Sequence, residues 1–245
     1  MTTLDPAEVA KFAQTAARWW DADGPYAPLH RLNPARLSFI RQRVAARFGQ
    51  PASARRPFAG LETLDLGCGG GLVSEPLARL GARLTAIDAE AETIRIAQAH
   101  AEAQGLDIAY RCGAAEDLAA EGRRFDLVVA LELIEHTADA RAFLALAAEL
   151  VRPGGLLILS TLNRTLQAYG LAIVAAERLL RWLPAGTHDY ARFLKPEEMA
   201  APLREAGLQV DAPVGLSLDL RSGAFRLSED ASVNYLLAAE KPPAP

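Results

Sequence analysis

The strongest constraint in this chain is an alternation that begins at residue 61. Short runs rich in Leu, Val, Ile and Ala (ETLDLG, RLTAID, DIAYRCG, FDLVVAL and GLLILST) are separated by stretches near 74–80, 90–104 and 138–150 whose apolar residues recur at three- and four-residue spacing. Continuous apolar runs suit strands buried on both faces, and the intervening periodicity suits amphipathic helices. Together they specify βαβ units and a mostly parallel sheet with helices on both sides. VRPGG, residues 151–155, reads as a helix stop and tight turn into GLLILST. Beyond that strand the pattern changes: 163–192 read as a long insert with one helix, KPEEMAAPLREAGL as an amphipathic helix, and VDAPVGL and VNYLLAAEK as two closing strands.

Length and charge limit what such a sheet can serve. With 245 residues, 51% of them apolar, the chain can bury a substantial core, and one domain over 1–245 fits better than two. A net charge of −4 argues against a generally basic nucleic-acid binder. Cys68 and Cys112 lie too far apart for a CxxC pair and read as reduced thiols of a cytoplasmic protein. MTTLDPAEVAKF has no signal-peptide character, and no run of about 18 apolar residues could span a bilayer. The expectation is a protein without a membrane span, at most lying on a membrane surface.

The first strand ends in D-x-G-x-G-G-G, with Asp65, Gly67, Gly69, Gly70 and Gly71. Glycines here let the backbone turn sharply and approach a ligand. A dinucleotide fingerprint, G-x-G-x-x-G, fits poorly because Leu72 takes its last glycine position. Alone, the loop could be a tight turn with no ligand. Asp88, at the end of the next strand and 21 residues beyond Gly67, can accept both hydroxyls of a ribose. GAAED, residues 113–117, places Ala115 and Glu116 where small residues let backbone groups meet an adenine edge. Asp65 can take a charged amino group, a role of no use toward pyrophosphate. Ribose, adenine and a cation without phosphates describe S-adenosylmethionine.

LDLGCGGG, Asp88, AAEDL and FDLVVALELIEH resemble the class I methyltransferases. RWWDADGPYAPLHRLNPARLSFI at 18–40, STLNRT, GTHDYARFLKPEEM and VNYLLAAEK narrow the resemblance to the ubiquinone-biosynthesis O-methyltransferases, over about residues 9–241. That resemblance implies a Rossmann-like, doubly wound α/β sheet of seven strands with the last antiparallel, an N-terminal helical lid over 1–58 and a helical insert over 163–192. It implies polyprenylated catechol or hydroquinone acceptors, 2-polyprenyl-6-hydroxyphenol and 3-demethylubiquinol, and a biosynthetic complex as partner. Cofactor contacts carried over by position fall on Arg36, Gly67, Asp88 and Leu131.

Methyl transfer to such a phenol, with a pKa near ~10, needs help in removing its proton. LELIEHTAD, after the fourth strand, puts Glu132, Glu135 and His136 at i, i+3 and i+4, on one face if the segment turns helical. His136 can be the general base. Alternatively the three hold a divalent cation on the catechol oxygens; magnesium is implied by resemblance to eukaryotic members, although the donor set is sparse for it. A third reading has them cap the next helix and shape the pocket.

Two further segments carry expectations. Between Gly24 and Gly60 there is no acid but seven arginines, which reads either as a solvated helix or as Arg36 on the cofactor carboxylate with the others toward anionic lipid. Trp19 and Trp20 read as core or lid packing. TLQAYGLAIVAAERLLRWLP, 165–184, aligns Leu166, Tyr169, Ile173, Ala176, Leu180 and Leu183 near one face with Arg178, Arg181 and Trp182 at its end. It fits either a helix in the interface of anionic lipid at the inner face of the cytoplasmic membrane or one packed on protein. The rival functions are a methyltransferase for another small phenol or acid, and a non-catalytic cofactor-binding scaffold.

Overall fold

The structure is a computed structural model that describes residues 3–13, 15–51, 53–171, 189–219, 221 and 223–244. Five parallel strands, β1 (Glu62–Leu66), β2 (Arg83–Asp88), β3 (Ala109–Cys112), β4 (Phe125–Leu131) and β5 (Val151–Leu162), lie in the order β3-β2-β1-β4-β5. β9 (Asn234–Glu240) follows antiparallel to β5. Beyond it come β6 (Gln209–Val210), β7 (Val214–Leu218) and, paired with β7, β8 (Phe225–Ser228).

Both faces of the central strands are buried, as their unbroken apolar runs require. Val128, Ala130, Leu157 and Leu159 belong to one core cluster, whereas the alternate residues Leu127, Val129, Leu156 and Ile158 belong to another. The first is covered by α5 (Ala115–Ala120), α6 (Ala140–Leu150) and α8 (Pro196–Glu205), through Leu118, Phe143, Leu144, Met199 and Leu203. The second is covered by α2 (Ala27–Phe48) and α3 (Ser74–Arg79), through Leu32, Phe39, Ile40, Val44 and Leu77. α4 (Ala91–Ala103) packs Ile94, Ala97 and Ala101 on Ala86 and Tyr110; the Glu90 carboxylate starts it by accepting from the Glu92 and Thr93 amides.

Three details depart from the sequence reading. VRPGG is not a turn outside the sheet: β5 begins at Val151, opposite Phe125, bulges and resumes at Leu156 opposite Leu127, with Gly154 at φ +81°. VDAPVGL is split into β6 and β7. Pro213 has no amide hydrogen to give β9, and the register slips by one residue between the Val210–Ala239 and Val214–Leu236 pairs. β8 adds to the expected seven strands a short piece that closes a hairpin on β7.

The N-terminal segment reaches the carboxyl ends of the strands. Leu4 bridges Thr137, the Ala138 amide donates to the Thr3 carbonyl at 2.8 Å, and α1 (Pro6–Ala13) follows. Most of the insert, residues 172–188, lies outside the described residues, and with it Ile173, Ala176, Leu180 and the Arg178–Trp182 end. In the described part Leu166, Tyr169 and Leu171 are exposed. Among the described residues no helix is long and apolar enough to cross a membrane.

Candidate active site

A cavity of about 960 Å³ opens at the carboxyl ends of β1, β2 and β4 and reaches under α1 and α2. This is the edge where open α/β sheets bind ligands. Arg36, Asp65, Gly67, Gly69, Asp88, Ala115, Leu131, Glu132, Glu135 and His136 all line it.

The glycine loop shapes one end. Gly67 and Gly69 have φ of +71° and +52°, a region that favours residues without a Cβ. A Cβ on Gly69 would come within 2.1 Å of the Trp19 ring, so the buried Trp19 lies directly on the loop. Trp19 in turn lies against Tyr26, ring centroids 3.9 Å apart, and Trp20 stacks on His100 at 3.6 Å. Asp88 accepts from the Gly69 amide at 2.9 Å and the Glu90 amide at 3.0 Å, which fixes its carboxylate across the loop. Burial raises its pKa and those two hydrogen bonds oppose the rise.

Asp65, beneath the glycines, receives the Ser74 hydroxyl at 2.5 Å. Full burial pushes its carboxyl up to about 7, the Ser74 hydrogen bond opposing and the Asp88 charge adding to the rise. A carboxyl so placed is poised for a cation, whose charge would restore its ionised form. Glu116 does not itself line the cavity; its Oε1 accepts from the Thr3 amide at 2.5 Å, so its carboxylate tethers the N-terminal segment.

At the other end, after β4, Glu132 has φ +51°, the non-glycine residue with positive φ among the described residues. Its carboxylate takes the Ser160 hydroxyl at 2.5 Å and Asn234 Nδ2 at 3.1 and 3.0 Å, and lies 3.0 Å from Arg36 Nη2. The Arg36 side chain is 4% exposed, and its Nε and Nη2 have no aligned hydrogen-bond acceptor. Glu135 is fully buried, receives the Thr161 hydroxyl at 2.8 Å on Oε2, and leaves Oε1 without a partner. Burial, with the Glu132 charge adding, raises its pKa well above the usual glutamate range. His136 Nδ1 lies 2.9 Å from Glu8 Oε2, and Lys11 Nζ lies 2.6 Å from Glu8 Oε1. Burial raises the Glu8 pKa, but the Lys11 and His136 hydrogen bonds outweigh it and hold Glu8 below its ordinary value.

The three residues read as a metal set thus do not act as one. Glu132 is engaged by Arg36, Ser160 and Asn234, Glu135 by Thr161, and His136 by Glu8. Among the described residues no group of three or more His, Cys, Asp or Glu side chains is arranged to hold a metal ion. The segment is a 3-10 turn, Ile134–His136, rather than an α-helix, which removes the common face assumed from the spacing. Glu8, Ser160, Thr161 and Asn234 were missed by sequence reasoning; the 128-residue separation of Glu8 from His136 leaves no local signal.

Comparison with known proteins places the fold and the family. A family described as "Methyltransferase domain" matches residues 64–159. The chain is 50% identical over 240 residues to the ubiquinone biosynthesis O-methyltransferase of Parvibaculum lavamentivorans, covering 98% of this chain and 95% of that protein. It is 46% identical over 241 residues to that of Brucella anthropi, covering 98% and 97%. Among solved structures, a SAM-dependent methyltransferase of Thermotoga maritima, described as a possible histamine N-methyltransferase, aligns with TM-score 0.61 at 15% identity over 96% of this chain and 98% of that one. The SAM-bound magnesium protoporphyrin IX methyltransferase of Synechocystis aligns with TM-score 0.56 at 20% identity over 86% and 80%. The structural likenesses establish the class I methyltransferase fold, and the near-full-length identities establish that the chain belongs to the ubiquinone biosynthesis O-methyltransferase family.

Proposed function

We propose that this protein transfers a methyl group from S-adenosylmethionine to a phenolic oxygen of a polyprenylated catechol or hydroquinone in ubiquinone synthesis, with 2-polyprenyl-6-hydroxyphenol and 3-demethylubiquinol as acceptors. The observation that carries the reading is that one cavity joins Asp65, Asp88 and the glycine loop to Glu132, Glu135 and His136. The relatives' shared name supports the acceptor class.

Bound S-adenosylmethionine supplies an electrophilic methyl on a sulfonium. The chain's residues fit it. Asp88, already oriented by two backbone amides, takes the ribose hydroxyls; buried Asp65 takes the ammonium side; and Arg36, with donors that lack an aligned acceptor, takes the carboxylate. Gly67, Gly69, Ala115 and Leu131 form walls that allow close approach. Holding acceptor oxygen and methyl in line can lower the barrier by up to ~7–11 kcal/mol in well-aligned cases.

His136 removes the acceptor proton. The Glu8 carboxylate at Nδ1 fixes the ring tautomer, so that Nδ1 carries the hydrogen and Nε2 is the basic nitrogen. Residues 1–58 serve as a lid, with Trp19 on the glycine loop excluding water. Glu132, Glu135 and His136 as arranged do not fit magnesium, since each is engaged by its own partner. Exposed Leu166, Tyr169 and Leu171 support a peripheral contact of 165–184 with anionic lipid; loss of liposome binding on deleting 165–184 is the expected result.

The test is methyl transfer from labelled S-adenosylmethionine to 2-prenyl-6-hydroxyphenol, with EDTA and with added magnesium. Turnover at the same rate in both is expected. Cofactor binding without turnover would favour the scaffold reading. Turnover abolished by EDTA and restored by magnesium would return the Glu132, Glu135 and His136 set to metal binding.

A further inference from the structure

The cavity extends past the reaction end, and its wall there is the β7–β8 hairpin that the sequence did not lead one to expect. Leu216, Leu218 and Phe225 line it together with Pro28, Leu29 and Leu32 of α2. Leu218 pairs directly with Phe225 across the hairpin, and directly paired residues share a face, as do residues two apart on one strand. Leu216, Leu218 and Phe225 therefore form one apolar face. On the opposite face Ser217 and Ser228 join their hydroxyls at 2.7 Å, and Arg226 pairs with Asp219; Ser217 also borders the cavity between the two leucines. Leu216 is buried among α2 residues, while Leu218 and Phe225 are only half-buried. Phe225 packs against that core as well as lining the cavity, so the apolar surface the hairpin offers the cavity beyond the core is chiefly that of Leu218.

This wall is continuous with the chemistry. Gly215 pairs with Tyr235 of β9, so the next residue, Leu216, lies beside Asn234, and Asn234 holds the Glu132 carboxylate. A molecule whose polar ring sits by Glu132 and His136 would run any apolar substituent outward over Leu216, then Leu218 and Phe225. We infer that the β7–β8 hairpin face, with the first turn of α2, is the binding subsite for the tail of the acceptor, an apolar chain attached to the methylated ring. This inference rests on the O-methylation reading and adds the residues that recognise the tail. Charged and polar heads gain nothing on this face, whereas each methylene removed from water there favours binding.

The test compares two acceptors, a catechol and the same ring bearing one prenyl group, with the wild-type protein and the variants Leu218→Ala, Phe225→Ala and Leu218→Trp. Wild type is expected to prefer the prenylated ring in kcat/KM. Each alanine variant should lose on the order of 10-fold in kcat/KM for the prenylated acceptor, the range in which apolar pockets discriminate. It should leave the catechol and the cofactor Kd unchanged; Leu218→Ala should leave the thermal melt unchanged too, whereas Phe225→Ala, which trims a ring packed on the α2 core, should lower it without changing turnover of the catechol. Leu218→Trp should narrow the subsite and reproduce that selective loss. Equal loss for both acceptors, or no loss for either, with a folded protein, would overturn the subsite. Wild-type turnover of both rings without preference would overturn it too while leaving the O-methylation reading intact; no turnover of either ring by wild type would overturn that reading itself.

Discussion

Replacing Glu132 by Ala probes the residue on which the two halves of the cavity meet. Its carboxylate is held by Ser160, Asn234 and Arg36, and the Arg36 and Glu132 side chains are only 4% and 14% exposed. Removing one member of a buried ion pair costs about 3–5 kcal/mol, because the remaining charge stays desolvated and uncompensated. Donors stranded on Ser160 and Asn234 fall within the same network and do not add independently. Alanine keeps the strained φ of +51°, whereas glycine relieves it, so Glu132→Gly should be less damaging by about 1 kcal/mol. Against a whole-domain stability of roughly 5–15 kcal/mol, the alanine loss is large and easily read in urea titrations. A double-mutant cycle with Arg36→Met isolates the pair: the double variant should be more stable than the sum of the single losses implies. A loss below about 1 kcal/mol for Glu132→Ala, or a cycle with no coupling, would mean that the Arg36–Glu132 pair does not hold this part of the cavity.

Other outcomes follow from the same geometry. Gly69→Ala must place a Cβ at φ +52° and against Trp19; a penalty of about 1–3 kcal/mol should raise the cofactor Kd about 5- to 150-fold by calorimetry, and an unchanged Kd would show that the loop does not hold the cofactor. His136→Asn should lower kcat by about 10²–10⁴ with cofactor affinity unchanged, whereas parallel loss of affinity would assign His136 to pocket shape. Asp65, raised from 3.8 to about 7 chiefly by burial, keeps its proton in the folded protein at pH values where the unfolded chain has lost it. The folded state therefore binds more protons between those values, so stability of the cofactor-free protein falls as pH rises through that window, by up to about 1.4 kcal/mol per pH unit from this group. Asp65→Asn should flatten that slope in denaturation measured across pH, and an unaltered slope would contradict the assignment.

The parts of the fold that were legible in the sequence are those written locally. β1, β2, β4 and the resumed part of β5 announce themselves because burial on both faces favours apolar residues on both, most completely in Leu156–Leu159. That Asp65, Gly67, Gly69 and Asp88 would line one cavity was legible because a strand, its turn and the next strand lie close in sequence. β8 escaped because FRLS is four residues long and gains its meaning only from pairing with β7. Glu8 and Asn234 escaped for a related reason: each meets its partner, His136 or Glu132, more than a hundred residues away. The partner of the Glu116 carboxylate, the Thr3 amide, likewise lies 113 residues earlier. The i, i+3, i+4 spacing of Glu132, Glu135 and His136 implied one shared face, yet the chain there forms a short 3-10 turn and each side chain finds its own partner.

Everything proposed for this cavity turns on methyl transfer to a phenolic oxygen. Carbon-13 methyl-labelled S-adenosylmethionine incubated with 2-prenyl-6-hydroxyphenol and the protein tests it directly, with the product read by NMR. A single labelled methoxy carbon, appearing with wild type and strongly reduced with His136→Asn, is the predicted result. Label on a ring carbon, or a bound cofactor that never gives up its methyl, would contradict it.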